Sequence, residues 1–454
     1  MLLGKDKIEI GNSSLDLRVK VHALLGSPWA MVPIALAVRL VIMRFVYVDL
    51  LDPARDHWNF GWETGKVARS IVMGQGFSSP YSQPSGPTAL IPPVYTYLVA
   101  GVFKLFGIFT AASALVILTL NNLFSSLTCA PVFLIARRVF GLRVARLAGW
   151  TWAFFPYAAV LSNTIVWETV LSTLLFSLLL LWTLHLERST SLIAWTGYGL
   201  LWGVATLSNP ATVSTVPFLL GWICFRRWRD GRRIAAEGMI AACIVLLLVV
   251  TPWIWRCSRT YGRFVPIRSG LGLELLVGNS LDTSNYANWS VLPSENDLEL
   301  KKLRTVGESK YMAEKQHEAV EYIIGHPLQF AGQTVRRILY TWTCIWNFHP
   351  VWNFDSSGMP NILVYTLLSL FSLAGITWAI QNHRDNVIPL VILIIVFPLV
   401  YYMTHPDIRF RHLIDPVIVI FFSYGLICFR TQLAESSEEE RVMATTGSPA
   451  VGDL

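Results

Sequence analysis

The sequence predicts an all-α polytopic membrane protein, with about ten transmembrane helices and two large outer loops that carry interfacial helices. Three observations point there. Charged residues are only 14% of the 454, where a soluble domain carries about a quarter. Hydrophobic residues make up 54% and the mean hydropathy is +0.50. The 18 Trp, 15 Tyr and 24 Phe exceed what one globular core needs and suit a membrane boundary. The formal charge of +7 does not indicate nucleic acid, because the basic residues fall in short clusters between apolar runs, where they set orientation and meet anionic lipid.

A spanning helix needs about 20 mostly apolar residues. Such segments occur near 28–48, 110–136, 145–161, 165–186, 192–208, 210–225, 234–256, 360–380, 387–404 and 413–429. An eleventh, 90–107, is shorter, opens with Pro92 and Pro93, and carries Lys104. Basic clusters at Lys5 to Lys20, Arg137 to Arg146 and Arg226 to Arg233 belong on the cytoplasmic side. With the N-terminus inside, only an odd number of crossings after residue 49 returns Arg137 to the cytoplasm, so 90–107 is expected along the outer interface.

The expected organisation follows from that parity. Residues 1–27 are cytoplasmic and contain no apolar core followed by a cleavage site. A membrane module covers 28–256 with an outer loop at 49–109, a second outer loop covers 257–359, and further membrane helices cover 360–429. The polar tail 430–454 is expected to be disordered. Within the first loop, Phe60, Thr64, Val67 and Ile71 share one helical face and Glu63, Lys66 and Ser70 another, as in an interfacial helix. A second such helix is expected from Leu328 to Trp346, where Arg336 and Arg337 would be costly at membrane depth. The six cysteines show no CxxC spacing, and for Cys257 and Cys344 either a bridge or two unpaired thiols fits.

Charges at a membrane edge are the candidate functional groups, since an apolar environment penalises a charge without a task. Asp49, Asp52, Asp56, His57 and Glu63 follow the first span closely, and the pair Asp56-His57 stands out as general base or metal ligand. Glu168 is the lone charge of its span, near the outer end; a helix N-terminal acid is the alternative reading. The last connection, HPDIRFRHLIDP, gathers His405, Asp407, Arg409, Arg411, His412 and Asp415. Guanidinium groups there suit a lipid-anchored phosphate, and on a helix starting at Pro406, Arg409 and His412 share a face. Arg39, within the first span, is placed to meet charges inside the bundle. No nucleotide-phosphate loop, HExxH motif or serine elbow is present, so an activated substrate must come from elsewhere, such as a lipid-linked donor.

An ordered series of motifs runs through residues 29–429: Asp56-His57 with a helix ending in GQGF (Gly74 to Phe77), IPPVYTYLVAGVFKLFG from Ile91, ARRVFGLRVARLAG from Ala136, FPY with WETVLSTLLFSLLLL, LSNPATVSTVP from Leu207, and RFRHLIDP from Arg409. The series resembles the integral-membrane glycosyltransferases of the GT-C type that use polyprenyl-phosphate sugars, including protein O-mannosyltransferases and the lipid A aminoarabinose transferase. The resemblance implies an inverting sugar transfer from a polyprenyl-phosphate-linked donor to a lipid, glycan or protein acceptor. It departs from the family at Ile91, where some members have lysine, and at Asn209, where many have arginine. The expected roles are Asp56 as general base, His57 and Glu168 in support or holding a divalent ion, and Arg409, Arg411, His405 and Lys104 at the donor phosphate. The expected site is the outer face of a bacterial inner membrane. A transporter or lipid flippase is the rival class, although no repeat is visible and the charges gather at one face. A ligase or polymerase of lipid-linked saccharides would share the same site.

Overall fold

The computed structural model describes residues 26–46, 60, 62–281, 283, 286–346 and 359–446. The pair Asp56-His57, with Asp49 and Asp52, lies outside them. Among the described residues the fold is all-helical, with one isolated bridge between Ser78 and Pro87. Among the described residues, six helices are long and apolar enough to cross a membrane: Pro28–Phe45, Ala111–Phe140, Thr169–Leu186, Ala236–Tyr261, Pro360–Gln381 and Asp415–Glu438.

The first membrane helices are α1 (Pro28–Val46), α4 (Ala111–Leu127) and α5 (Cys129–Phe140), the last two separated by a turn at Thr128. Between α1 and α4 lie α2 (Trp62–Val72) and α3 (Pro93–Phe106), which pack on each other. At 14 residues, α3 rises about 21 Å, short of the roughly 30 Å hydrocarbon thickness. The segment expected to span at 145–161 is instead two helices, α6 (Leu142–Ala153) and α7 (Pro156–Thr164). Pro156 has no N–H to continue the ladder and holds Phe155 in extended backbone.

Arg39 resolves this break. It is fully buried and donates to the carbonyls of Ala153 at 2.9 Å and Trp152 at 3.2 Å, which end α6, and to Ser125 Oγ at 2.9 Å. Its partners are carbonyls and a hydroxyl rather than the charges expected. The buried Asn122, Ser162 and Asn163 continue the network, with Asn122 donating to Asn163 at 2.7 Å.

Next come α8 (Thr169–Leu186), α9 (Leu192–Ser208), a 3₁₀ turn (Pro210–Thr215) capped by Asn209, α10 (Val216–Arg229) and α11 (Ala236–Tyr261). Helices α9 and α11 cross closely because Gly199 faces the Ala242 backbone and Gly203 faces Val249; small residues let membrane helices approach. Gly375 and Gly425 do the same for α16 (Met359–Gln381) and α20 (Asp415–Thr446). The 387–404 segment is broken into α17 (Ile388–Val396) and α18 (Leu399–Met403) at Pro398. Helix α20 continues to Thr446 through the stretch expected to be disordered, since Leu, Ala, Gln and Glu there are strong helix formers.

The long connection after α11 folds into α12 (Leu271–Gly278), α13 (Asp297–Val306), α14 (Glu308–Gly325) and α15 (Pro327–Thr343). Its residues share a second core with the first connection, in which Val67, Phe77, Tyr81, Leu90, Trp253, Leu273, Leu303 and Tyr311 are buried together. Glu308 Oε1 fastens them by accepting from Ala89 N–H at 2.9 Å, Tyr261 at 2.8 Å and Ser269 at 2.6 Å. Cys257 is a buried free thiol, and Cys344 is buried as well.

Candidate functional site

Five pieces of chain converge on a cavity of about 360 Å³ at one end of the helix bundle. The start of α2 supplies Trp62 and Glu63, the following loop supplies Tyr81, Leu90 and Ile91, and Trp167 comes from the turn before α8. The long connection supplies Arg268, Leu273, Glu274, Trp289 and the run Leu292 to Glu295, and the turn after α18 supplies His405, Asp407 and Arg409. That turn is held from behind by Arg337 of α15, which is buried and donates to the carbonyls of Tyr402 at 3.2 Å and Met403 at 3.0 Å, and to Asn279 Oδ1 at 2.9 Å.

Two arginine–carboxylate pairs organise the walls. Arg268 Nη2 donates to Glu274 Oε1 at 2.8 Å, and its Nε donates to the Leu90 carbonyl beside Ile91. Arg409 pairs with Asp407 at 2.9 Å, and Asp407 also caps the short helix α19 (Ile408–Arg411) by accepting from the Arg409 N–H. The Arg409 guanidinium lies 4.5 Å from the Trp167 ring and 5.8 Å from that of Trp62. The two indoles meet edge-on at 5.3 Å. His405 Nδ1 is 3.6 Å from Glu274 Oε2, too long for a hydrogen bond.

Burial and neighbours set the charge states. Burial raises the Glu63 carboxyl, and Lys66, Arg268 and Arg409 offset that only in part. Burial would also raise Glu274, but Arg268, His405 and Arg409 outweigh it and hold the group low, ionised near neutrality. Burial lowers His405 despite Glu274 and Asp407, which pull it the other way. For Arg409 the order reverses: Asp407, Glu168 and Glu274 outweigh burial and hold it charged. Glu168 precedes the α8 span, and burial pushes it up to about 7.

Several polar atoms here are buried and meet no protein partner: Glu63 Oε2, Tyr81 Oη, both ring nitrogens of His405, and Arg409 Nη1. Buried polar groups are ordinarily satisfied, so the cavity presents both donors and acceptors to something it holds. Among the described residues no group of three His, Cys, Asp or Glu forms a metal cluster, so these residues do not by themselves fit a divalent ion.

Of the residues chosen from sequence, His405 and Arg409 line the cavity, and Glu168 follows the lining Trp167. Arg411 does not line it. Its Nε donates to Asp415 Oδ1 at 3.0 Å and its Nη1 to the carbonyls of Thr341 at 3.2 Å and Trp342 at 2.9 Å. His412 turns inward with it, 3.2 Å from Asp415 Oδ2, so Arg409 and His412 do not share a face. Four residues of helix are too few to carry that periodicity. Lys104 is exposed at the end of α3 away from Pro93. Sequence reasoning missed Arg268 and Glu274, although a lone acid in the apolar run LGLELLVG was the same signal that marked Glu168.

Residues 91–255 match the family model described as dolichyl-phosphate-mannose-protein mannosyltransferase. The resemblance to membrane glycosyltransferases of the GT-C type is borne out over that stretch, a little over a third of the chain. No curated protein sequence matches the chain. Among solved structures it is similar to the archaeal oligosaccharyltransferase AglB from Archaeoglobus fulgidus in complex with an inhibitory peptide and a dolichol-phosphate, at 16% identity and TM-score 0.56 over 94% of this chain. The apo form of the Archaeoglobus fulgidus oligosaccharyltransferase aligns at 15% identity and TM-score 0.54 over 92% of this chain. The chain spans about half of those proteins, 52% in each case, and at such identity the likeness is one of fold. ArnT from Cupriavidus metallidurans bound to undecaprenyl phosphate aligns at 15% identity over 86% of this chain and 77% of its own, with TM-score 0.36, too low to support an argument.

Proposed function

We propose that the protein transfers a sugar from a polyprenyl-phosphate donor to an acceptor hydroxyl or phosphate, with inversion, in the cavity between the two long connections. The observation that carries this is the set of unpartnered buried donors and acceptors beside two fixed guanidinium groups and three indoles. A sugar phosphate offers hydroxyls to Glu63, Tyr81 and His405, an apolar ring face to Trp62, Trp167 or Trp289, and a developing charge to Arg268 and Arg409. The family match over 91–255 and the fold shared with AglB, a protein solved with dolichol-phosphate, support the same reading.

In this reading the acceptor oxygen bonds to the anomeric carbon as the bond from that carbon to the phosphate oxygen breaks. The electron pair departs with the lipid phosphate, and Arg268 and Arg409 stabilise it as pre-oriented partners. The proton of the acceptor passes to the Asp56 carboxylate, the general base assigned by the resemblance; Trp62, six residues on, lines the cavity. His57 and Glu168 support acceptor orientation, and a divalent ion would draw on first-connection acids. At Ile91 the family's lysine is absent and the side chain is apolar, and Arg268 supplies the positive charge at that wall through its bond to the Leu90 carbonyl. In this reading the basic clusters lie on the cytoplasmic side, and the cavity faces the periplasm of a bacterial inner membrane.

The test is transfer from a panel of radiolabelled polyprenyl-monophosphate sugars to membrane extracts, by purified wild type and Asp56→Asn. Label moved by wild type and lost in the variant supports the assignment. Near-normal turnover in Asp56→Asn removes the base, and a pyrophosphate-linked glycan as the sole donor would favour the ligase reading.

A further inference from the structure

At the opposite end of α8, some 27 Å from Glu168 at 1.5 Å per residue, a second cavity of about 510 Å³ is lined by Arg138, His185, Glu187, Arg188, Ser189 and Asn386. Glu187 is 2% exposed. Its Oε1 lies 2.6 Å from Arg138 Nη2 and 3.5 Å from Arg188 Nε. Its Oε2 accepts no hydrogen bond, although Arg226 Nε stands 4.0 Å away. Asn386 Oδ1, across the cavity, is likewise buried without a donor. Arg227 is buried beneath and donates only to carbonyls, those of Leu186, Glu187, Ser189 and Arg233. Three guanidinium groups, those of Arg138, Arg188 and Arg226, thus stand around the single Glu187 carboxylate, with Asp230 beside Arg226.

A ligand that completes this site must bring negative charge for Arg138 and Arg188 and hydrogen-bond donors for Glu187 Oε2 and Asn386 Oδ1. The chain leaving the cavity on either side adds a second requirement. Beyond Ser189, α9 opens with Leu192 and Ile193, the latter 84% exposed, and beyond Asn386, α17 opens with the exposed Ile388. The polar cavity thus borders bare apolar helix, as a lipid headgroup site does. We infer that it holds a glycerophospholipid whose phosphodiester pairs with Arg138 and Arg188 and whose headgroup donates to Glu187 and Asn386.

The inference is independent of the sugar-transfer reading. It is tested by native mass spectrometry of the purified full chain with dioleoylphosphatidylethanolamine, dioleoylphosphatidylcholine and inorganic phosphate. The two lipids have the same net charge, but the choline headgroup has no donor. Ethanolamine lipid is expected to bind about tenfold more tightly, one charge-assisted hydrogen bond's worth. Arg188→Gln, at a side chain 65% exposed and so dispensable for folding, should weaken both lipids about tenfold while cavity-end activity and melting temperature stay unchanged. Equal binding of the two lipids, or no loss in Arg188→Gln, overturns the assignment. Displacement of the lipid by millimolar inorganic phosphate would make this a free-anion site instead.

Discussion

Arg268→Gln separates binding of the leaving phosphate from upkeep of the fold. The guanidinium is anchored by Glu274 at 2.8 Å and by the Leu90 carbonyl, which takes two of its five N–H donors. Arg268 also lines the cavity in which the departing phosphate gains charge. Replacing one charge-assisted hydrogen bond of about 1.5–3 kcal/mol with a neutral amide should lower kcat/KM for the lipid donor by roughly tenfold to roughly 150-fold. The same change leaves Glu274 with burial as its dominant influence and only His405 and Arg409 against it, so its carboxyl moves upward from its present lowered position. The assay is initial rate against donor concentration from pH 5 to 9, with inhibition by free polyprenyl phosphate measured alongside. The expected result is weaker inhibition by the free lipid phosphate and an acidic limb displaced to higher pH. A donor KM and inhibition constant within twofold of wild type, in a protein of unchanged melting temperature, would refute the role given to this guanidinium.

The remaining predictions follow from burial and crossing geometry. Arg411→Leu should behave oppositely to Arg268→Gln: it strands the buried Asp415 and costs about 3–5 kcal/mol of stability, read as a lower melting temperature, while the folded fraction keeps its donor KM. Glu168 is raised from 4.5 to about 7 by burial, so between those values the native state binds more protons than the unfolded chain and stability falls as pH rises. Glu168→Gln should therefore lose less stability between pH 5 and pH 8 than wild type, by about 3 kcal/mol at most, measured by thermal melts at both pH values. Gly425→Leu should push α20 off α16, because the new side chain meets the Phe371 carbonyl, and cost about 1–3 kcal/mol; an unchanged melting temperature would show that this crossing has slack.

How much was legible depends on the range of the interaction that decides each feature. The amphipathic helix at 62–72 and the helix at 327–343 are local patterns, and both formed close to the expected bounds. The breaks at Pro156 and Pro398 were visible as prolines, but a continuous apolar run hid that each divides a span. Arg409 and His405 reached the cavity as their membrane-edge position suggested, whereas Arg411, two residues later, pointed into the bundle because its partners are the Thr341 and Trp342 carbonyls. Those carbonyls are 70 and 69 residues away, and no local spacing announces them. Arg268 was missed for the same reason, since its importance comes from Leu90 on another segment, whereas Glu274 did carry a local signal, a lone acid in the apolar run LGLELLVG.

The Arg39 contact also bears on the order in which the protein is made. Its carbonyl partner in Ala153 lies 114 residues downstream. At roughly 5–20 residues per second of synthesis, the first helix spends on the order of 6–23 s with a guanidinium whose partners in α6 have not left the ribosome. During that interval the charge must be met by water, lipid headgroups or the insertion machinery. Assembly of α6 and α7 then releases those surrogates and locks the first helix in register. A slower ribosome, or a weaker insertase, should consequently penalise this chain more than one with the same hydropathy and leucine at position 39.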